Sequence, residues 1–269
     1  MNKTYHSYSS DSPILISMPH VGTALPKEIA CRMTPEAKQL PDVDWHLPIL
    51  YNIAKDYEIS VISAEYARYV IDLNRPRENV SLYPGQDTTG LCPIDTFAKQ
   101  PIYLEGNQPD ENEIESRIEQ YWQPYHEKLA SELKRIHAIH GIAILWDAHS
   151  IASHVPRFFS GQLPDFNFGT VDLTSCDESL QEALAIVMRD SVHAKKYSHV
   201  FNGRFKGGYI TRHYGAPSMN IHAVQLEMSQ CIYMEENSPY KYDAELAVKV
   251  IPLLTDLHEA CLRWANDHK

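Results

Sequence analysis

Four short apolar runs stand out along the chain, at residues 14–16, 67–70, 142–145 and 223–224, and each is followed at once by polar or ionisable residues. Runs this short, rich in branched side chains, read as buried strands. A different period governs residues 111–140. There Ile114, Ile118, Tyr121, Tyr125, Leu129, Leu133 and Ile136 recur every three to four positions, the stripe of a helix with one buried face. Asp110 is placed to cap its start, Gly141 to stop it, and Pro124 to kink or divide it. Residues 48–57 read as a helix that leads into a strand at 59–63, and 177–195 read as a further helix. In 241–265, Ala247, Val250, Leu254, Leu257 and Cys261 share one helical face. Helices that lead into buried strands are halves of βαβ units, so the pattern predicts an α/β domain with a parallel or mixed sheet. Residues 79–110, rich in Pro, Gly and Thr, form the longest irregular stretch. A loop of that length is either a surface excursion or a lid over a site. Neither repeats nor linkers interrupt the chain, and residues 1–269 read as one domain.

The polar ends of the runs carry the chemistry. They are Ser17-Met18-Pro19-His20, Ile71-Asp72-Leu73-Asn74-Arg75, Trp146-Asp147-Ala148-His149-Ser150 and Gln225-Leu226-Glu227-Met228. Ligands of open α/β sheets sit at the carboxyl ends of the strands, so these patches should converge. His20 and His149 are candidate metal ligands, with a third from the 41–46 segment, and Asp147 could orient an imidazole. The plainer reading is a pair of loop histidines bonded to backbone. Asn74-Arg75 suits a substrate carboxylate, or a surface ion pair of Arg75 with Glu78. Arg204, Lys206 and Arg212 form a second basic stretch among glycines, either a ligand-binding loop or a solvated turn. Glu227, bordered by apolar residues, could act as a general base with a raised pKa, or pair with an arginine of the 201–212 segment.

The bulk properties narrow the class. The composition, 43% hydrophobic and 22% charged, is that of an ordinary globular protein. A formal net charge of -11 argues against a nucleic-acid binder and requires a local positive site for any acidic substrate. The 5 cysteines are scattered without a Cys-x-x-Cys, which argues against a thiolate cluster or a disulfide framework. No run approaches the roughly 18 apolar residues of a membrane span. The N-terminus lacks an apolar signal core, so a cytoplasmic location is expected.

In order along residues 13–235, the patches resemble the N-formylglutamate amidohydrolase (deformylase) family. The motifs that carry the resemblance include Pro19-His20-Val21-Gly22-Thr23, Asp42-Val43-Asp44-Trp45-His46, Val70-Ile71-Asp72-Leu73-Asn74-Arg75-Pro76, Tyr121-Trp122-Gln123-Pro124-Tyr125-His126, Leu145-Trp146-Asp147-Ala148-His149-Ser150 and Val224-Gln225-Leu226-Glu227. The glycine-rich stretch from Asn202 to Gly215 also matches. The resemblance implies a three-layer α/β/α fold with a mixed central sheet, like that of the zinc carboxypeptidases. It implies one zinc ion, a site that other divalent metals could also fill, with His20 and His149 as ligands. The carboxypeptidase pattern has a Glu three residues after the first His; Thr23 stands there, so Asp44 is expected as the third ligand, with Asp42 as the alternative. It further implies Glu227 as general base, and Asn74, Arg75, Arg212 and Tyr214 as substrate contacts. The implied reaction is hydrolysis of N-formyl-L-glutamate to formate and L-glutamate, the last step of a histidine-degradation route. A deacylase of other N-acyl acidic amino acids, of the aspartoacylase type, and a non-catalytic binder of acidic metabolites are the competing expectations.

Overall fold

In the computed structural model, which describes residues 3–268, seven strands form one mixed sheet. The strands are β1 (Tyr5–Tyr8), β2 (Ile14–Met18), β3 (Ser60–Ala64), β4 (Ala143–Ile151), β5 (Phe166–Gly169), β6 (His199–Phe201) and β7 (Ile221–Ser229). Their order across the sheet is β1-β3-β2-β4-β7-β5-β6. The four central strands β3, β2, β4 and β7 run parallel, while β1 and the β5–β6 pair oppose them. The helices are α1 (Lys27–Ala30), α2 (Leu47–Leu50), α3 (Glu111–Arg117), α4 (Gln123–His140), α5 (Glu178–Asp190), α6 (Tyr209–Tyr214) and α7 (Ala244–Asp267). None is long and apolar enough to cross a membrane.

Alternation along the strands makes the layers. Ile14, Ile16, Met18, Ile144, Trp146, Ala148, Val224 and Leu226 point to one face, where they pack with α2, α5 and α7. Leu15, Ala143, Leu145 and Ala223 point to the other, under α4. The first face is apolar through its middle, with His222 toward one end and Ser150 toward the other. The second becomes polar toward the carboxyl ends of the strands, at Ser17, Asp147, His149, Gln225 and Glu227, all buried. Helices on both faces of a mixed sheet give the three-layer α/β/α arrangement.

The helix expected over 111–140 is divided, as Pro124 requires. α3 and α4 are joined by a wide π-turn at Ile118–Trp122, in which the Gln123 N–H reaches the Ile118 carbonyl five residues back. Asp110 caps the start through Glu113 N–H, and Gly141 stops the end in the left-handed conformation. One expected strand is not a strand. Residues 67–70 form a turn closed by Val70 N–H to Ala67 O at 2.8 Å. Ala67, Tyr69 and Val70 pack into a small separate cluster with Ile29 and Met33, while Arg68 turns inward to a carboxylate. The helix expected at 48–57 is one α-turn followed by a 3-10 turn, Tyr51–Lys55. That expected at 177–195 ends at Asp190.

Candidate active site

His20 follows β2 and His149 lies near the carboxyl end of β4, so two adjacent strands deliver the two imidazoles, with ring centroids 4.8 Å apart. Asp44 joins them from the loop before α2, held by its backbone N–H on the His20 carbonyl at 3.0 Å. Its Oδ2 lies 3.0 Å from His149 Nδ1 and 3.8 Å from His20 Nδ1. These three donor atoms lie within 4.8 Å of one another and all three residues are buried. Asp42, the other carboxylate considered, does not reach this group. Its Oδ2 accepts from the Tyr69 hydroxyl at 2.6 Å and from Phe97 N–H at 2.9 Å.

The far nitrogen of each imidazole meets a second carboxylate. His20 Nε2 lies 2.7 Å from Asp72 Oδ1, and His149 Nε2 lies 3.2 Å from Asp147 Oδ2. A proton on His20 Nε2 leaves its Nδ1 lone pair facing Asp44, while His149 Nε2 meets both Asp147 Oδ2 and the Asn74 amide nitrogen. That tautomer and that carboxylate support are how metal-binding histidines are held. Two imidazole nitrogens plus one carboxylate oxygen is a donor set that catalytic zinc accepts, so the residues fit a divalent cation. Arg68, fully enclosed, donates to Asp72 Oδ2 at 2.7 Å and lies 3.9 Å from Asp44 Oδ1. Burial works against the charged forms here, but His20 and Arg68 together hold Asp72 well below the usual carboxylate range. Burial alone would lower His149; Asp147 and Asp44 outweigh it and hold the imidazole well above its ordinary range.

Glu227 enters from β7 in register with His149 and on the same face. Among the described residues none donates a hydrogen bond to its carboxylate, and burial pushes it up to about 8. It lines a cleft with His20, His149, Asn74, Arg75 and Arg204. Arg75 bonds only to the carbonyl and hydroxyl of Thr89, and Arg204 to the Phe158 carbonyl. Among the described residues neither guanidinium pairs with a carboxylate. Burial lowers both below the usual arginine range, the mark of cations short of counter-charge.

Asn74 lines the cleft, but its amide is committed to the protein. Nδ2 donates to Asp147 Oδ2 at 3.3 Å and lies 2.9 Å from His149 Nε2, while Oδ1 accepts Ile210 N–H at 2.8 Å. Gly208 permits this, since a Cβ there would come within 2.4 Å of the Asn74 amide. Arg212 and Tyr214 do not line the cleft. Arg212 donates to the Gly207 carbonyl and lies over the Tyr83 ring, and the Tyr214 hydroxyl meets His126. Arg204, from the same basic stretch, faces the cleft in their place. Sequence reasoning also missed Arg68, hidden inside a run read as a strand. Asp72 stood in a quoted motif without an assigned role.

A family model for N-formylglutamate amidohydrolase matches residues 12–234. The chain is 49% identical over 267 residues to an N-formylglutamate deformylase of Pseudomonas putida, covering 99% of this chain and 98% of that one. It is 48% identical over 255 residues to an N-formylglutamate deformylase of Pseudomonas aeruginosa, covering 95% and 94%. Among solved structures, an N-formylglutamate amidohydrolase from Ralstonia eutropha JMP134 shares the fold with a TM-score of 0.80 at 22% identity, covering 98% of this chain and 97% of that one.

Proposed function

The chain belongs to the N-formylglutamate amidohydrolase family, and we propose that it hydrolyses N-formyl-L-glutamate to formate and L-glutamate, with one zinc ion held by His20, Asp44 and His149. The observation that carries the reading is a convergence in one cleft. Among the described residues, the two histidines of a buried three-donor group, a carboxylate without a hydrogen-bond donor and two guanidinium groups without carboxylate partners all line the same space. The names of the curated relatives support the substrate. The place at the end of histidine degradation rests on the family resemblance.

Each residue has a physical task. Arg75 and Arg204 receive the two carboxylates of the substrate, whose desolvation demands charge-assisted partners. Glu227 takes a proton from the attacking water as its oxygen bonds to the formyl carbon. When bound, zinc supplies Lewis-acid polarisation of the formyl carbonyl and acidifies water. As the C–N bond breaks, Glu227 returns the proton to the departing nitrogen, and formate and L-glutamate are the products. Burial alone keeps Glu227 protonated at neutral pH, and a cation among His20, Asp44 and His149 favours its charged form. Asp72 holds the His20 proton on the nitrogen turned away from the donor triangle.

The test is glutamate release from N-formyl-L-glutamate, with and without chelator, in wild type and Glu227→Gln. Turnover should vanish with chelator and return with zinc. It should fall at least about a hundredfold in the variant, the low end for losing a general acid–base group. Metal-replete wild type that turns over N-acetyl but not N-formyl substrates would move the assignment to the N-acyl deacylase alternative.

A further inference from the structure

The Tyr121–His126 stretch is one of the motifs that set this chain apart, yet it lends no side chain to the cleft. It sits where the long helix breaks. Pro124 has no N–H to continue the helical pattern, and the π-turn Ile118–Trp122 absorbs the mismatch. Wide turns of this kind recur at functional sites. Here the break directs Trp122 and His126 onto the loop that carries Asn74 and Arg75.

Three consecutive carbonyls of that loop are each taken by a donor. His126 Nε2 lies 2.9 Å from the Leu73 carbonyl, the Tyr209 N–H donates to Asn74 O at 3.3 Å, and Trp122 Nε1–H donates to Arg75 O at 2.9 Å. A carbonyl can only accept, so His126 must carry its proton on Nε2. Its Nδ1 is then an acceptor 3.0 Å from the Tyr214 hydroxyl, which also reaches the His126 carbonyl at 3.2 Å. The rings are stacked: Trp122 on His126 at 3.8 Å and His126 on Tyr214 at 5.9 Å between centroids. A loop held at three successive carbonyls has its backbone dihedrals fixed, and with them the directions of the two side chains it presents. One is Asn74, on Asp147 and beside His149; the other is Arg75, in the cleft.

We propose that Trp122 and His126 are positioning residues: Trp122 aims Arg75 at the substrate, and His126, with its tautomer set by the Leu73 carbonyl, holds Asn74 on Asp147 beside His149. This rests on the reading above of Arg75 as a substrate contact and His149 as a metal ligand. It gives the motif and its helix break one purpose, and it gives Tyr214 a role behind the cleft. The two residues act on different quantities. Slack at Arg75 weakens substrate binding, whereas slack at Asn74 loosens the support of a ligand imidazole.

The experiment compares Trp122→Phe, His126→Leu and His126→Gln, with Arg75→Ala as control. It reads kcat and KM for N-formyl-L-glutamate, the zinc Kd by chelator competition, and the thermal midpoint. Trp122→Phe keeps a ring but loses the N–H, and should raise KM roughly five- to tenfold, the worth of one hydrogen bond, with kcat and zinc Kd within about twofold. His126→Leu should weaken zinc roughly tenfold, as loss of outer support does. His126→Gln, whose amide N–H can occupy the Nε2 position, should recover most of that. Folded variants with unchanged KM and zinc Kd, or a Gln variant no better than Leu, would overturn the proposal. Should the ring variants not fold, Tyr214→Phe carries the test; it removes one hydroxyl and should weaken zinc in the same direction, and an unchanged Kd overturns the role of His126. If Arg75→Ala leaves KM unchanged, the substrate reading of Arg75 fails. If Arg75→Ala raises KM and Trp122→Phe does not, only the positioning of Arg75 fails.

Discussion

Asp72 ties three separate groups together. One carboxylate oxygen meets His20 Nε2 and the Asn74 N–H, and the other takes the Arg68 guanidinium. Replacing it by Asn keeps the shape but removes the charge that faces the imidazole. Loss of such a carboxylate behind a ligand histidine typically weakens metal binding ten- to a hundredfold. We expect Asp72→Asn to raise the zinc Kd by that range in a chelator competition; an unchanged Kd would show that His20 needs no carboxylate behind it. At this scale the sequence was legible where an ionisable residue stands within four positions of the end of an apolar run, as with His20, His149 and Glu227. It was less so where two like residues stand close together. Asp42 and Asp44 are separated only by the Tyr69 hydroxyl and Phe97 N–H that claim Asp42, and both partners are distant in sequence. Arg204 and Arg212 flank the same glycines, and their directions depend on where α6 begins after Gly207, which has a φ of +125°.

At the scale of elements, the irregular segment before α3 resolves into a necked loop. The Leu91 N–H donates to Asn79 Oδ1 at 2.7 Å and closes the neck beside Val80, 64% exposed, and residues 84–86 form the exposed tip. Between them Tyr83, Asp87 and Thr88 line the cleft. The tip is held by few contacts. The Tyr83 hydroxyl donates to the Gly207 carbonyl at 2.9 Å, its ring lies between Arg204 and Arg212, and Asp87 pairs with Arg157 and Lys99. A loop pinned at its neck and anchored through one tyrosine and one aspartate can open without unfolding the domain. A substrate carboxylate on Arg204 would add to the same anchor. Limited proteolysis within residues 80–90 should therefore be faster in Tyr83→Ala than in wild type, and substrate should slow it in wild type alone. Equal nicking rates in all four conditions would exclude a lid. The length and composition of this segment pointed to a functional loop. Its anchor was not legible, because Gly207 and Arg204 lie more than a hundred residues away.

Over the whole molecule, the layer class followed from the alternation of helical and strand periods, but the sheet order did not. β5 and β6 are short, and their antiparallel place beside β7 depends on pairings such as Asn167 with Glu227 that local pattern does not encode. The same burial that isolates the cleft also encloses histidines outside it. His258 sits in the core against Tyr51 and Trp146, with Nδ1 on the Leu254 carbonyl, and burial lowers its pKa to about 4. Burial lowers His126 to about 3 and His222 to about 4. Each is neutral in the folded chain below the pH at which it titrates when unfolded, near 6.5. The unfolded chain therefore binds more protons as pH falls below about 6.5, and stability must fall with it. Their contribution is fully present above that pH and is lost progressively down to the folded pKa values of about 3 to 4. The slope is up to about 1.4 kcal/mol per pH unit for each fully enclosed imidazole. Urea unfolding at pH 7.5 and pH 5.0 measures it. His258→Phe, which cannot take up a proton, should lose about 2 kcal/mol less than wild type between those two conditions, whatever its stability at pH 7.5. Equal losses would mean that His258 is already protonated in the folded state, and that its core position carries no electrostatic cost.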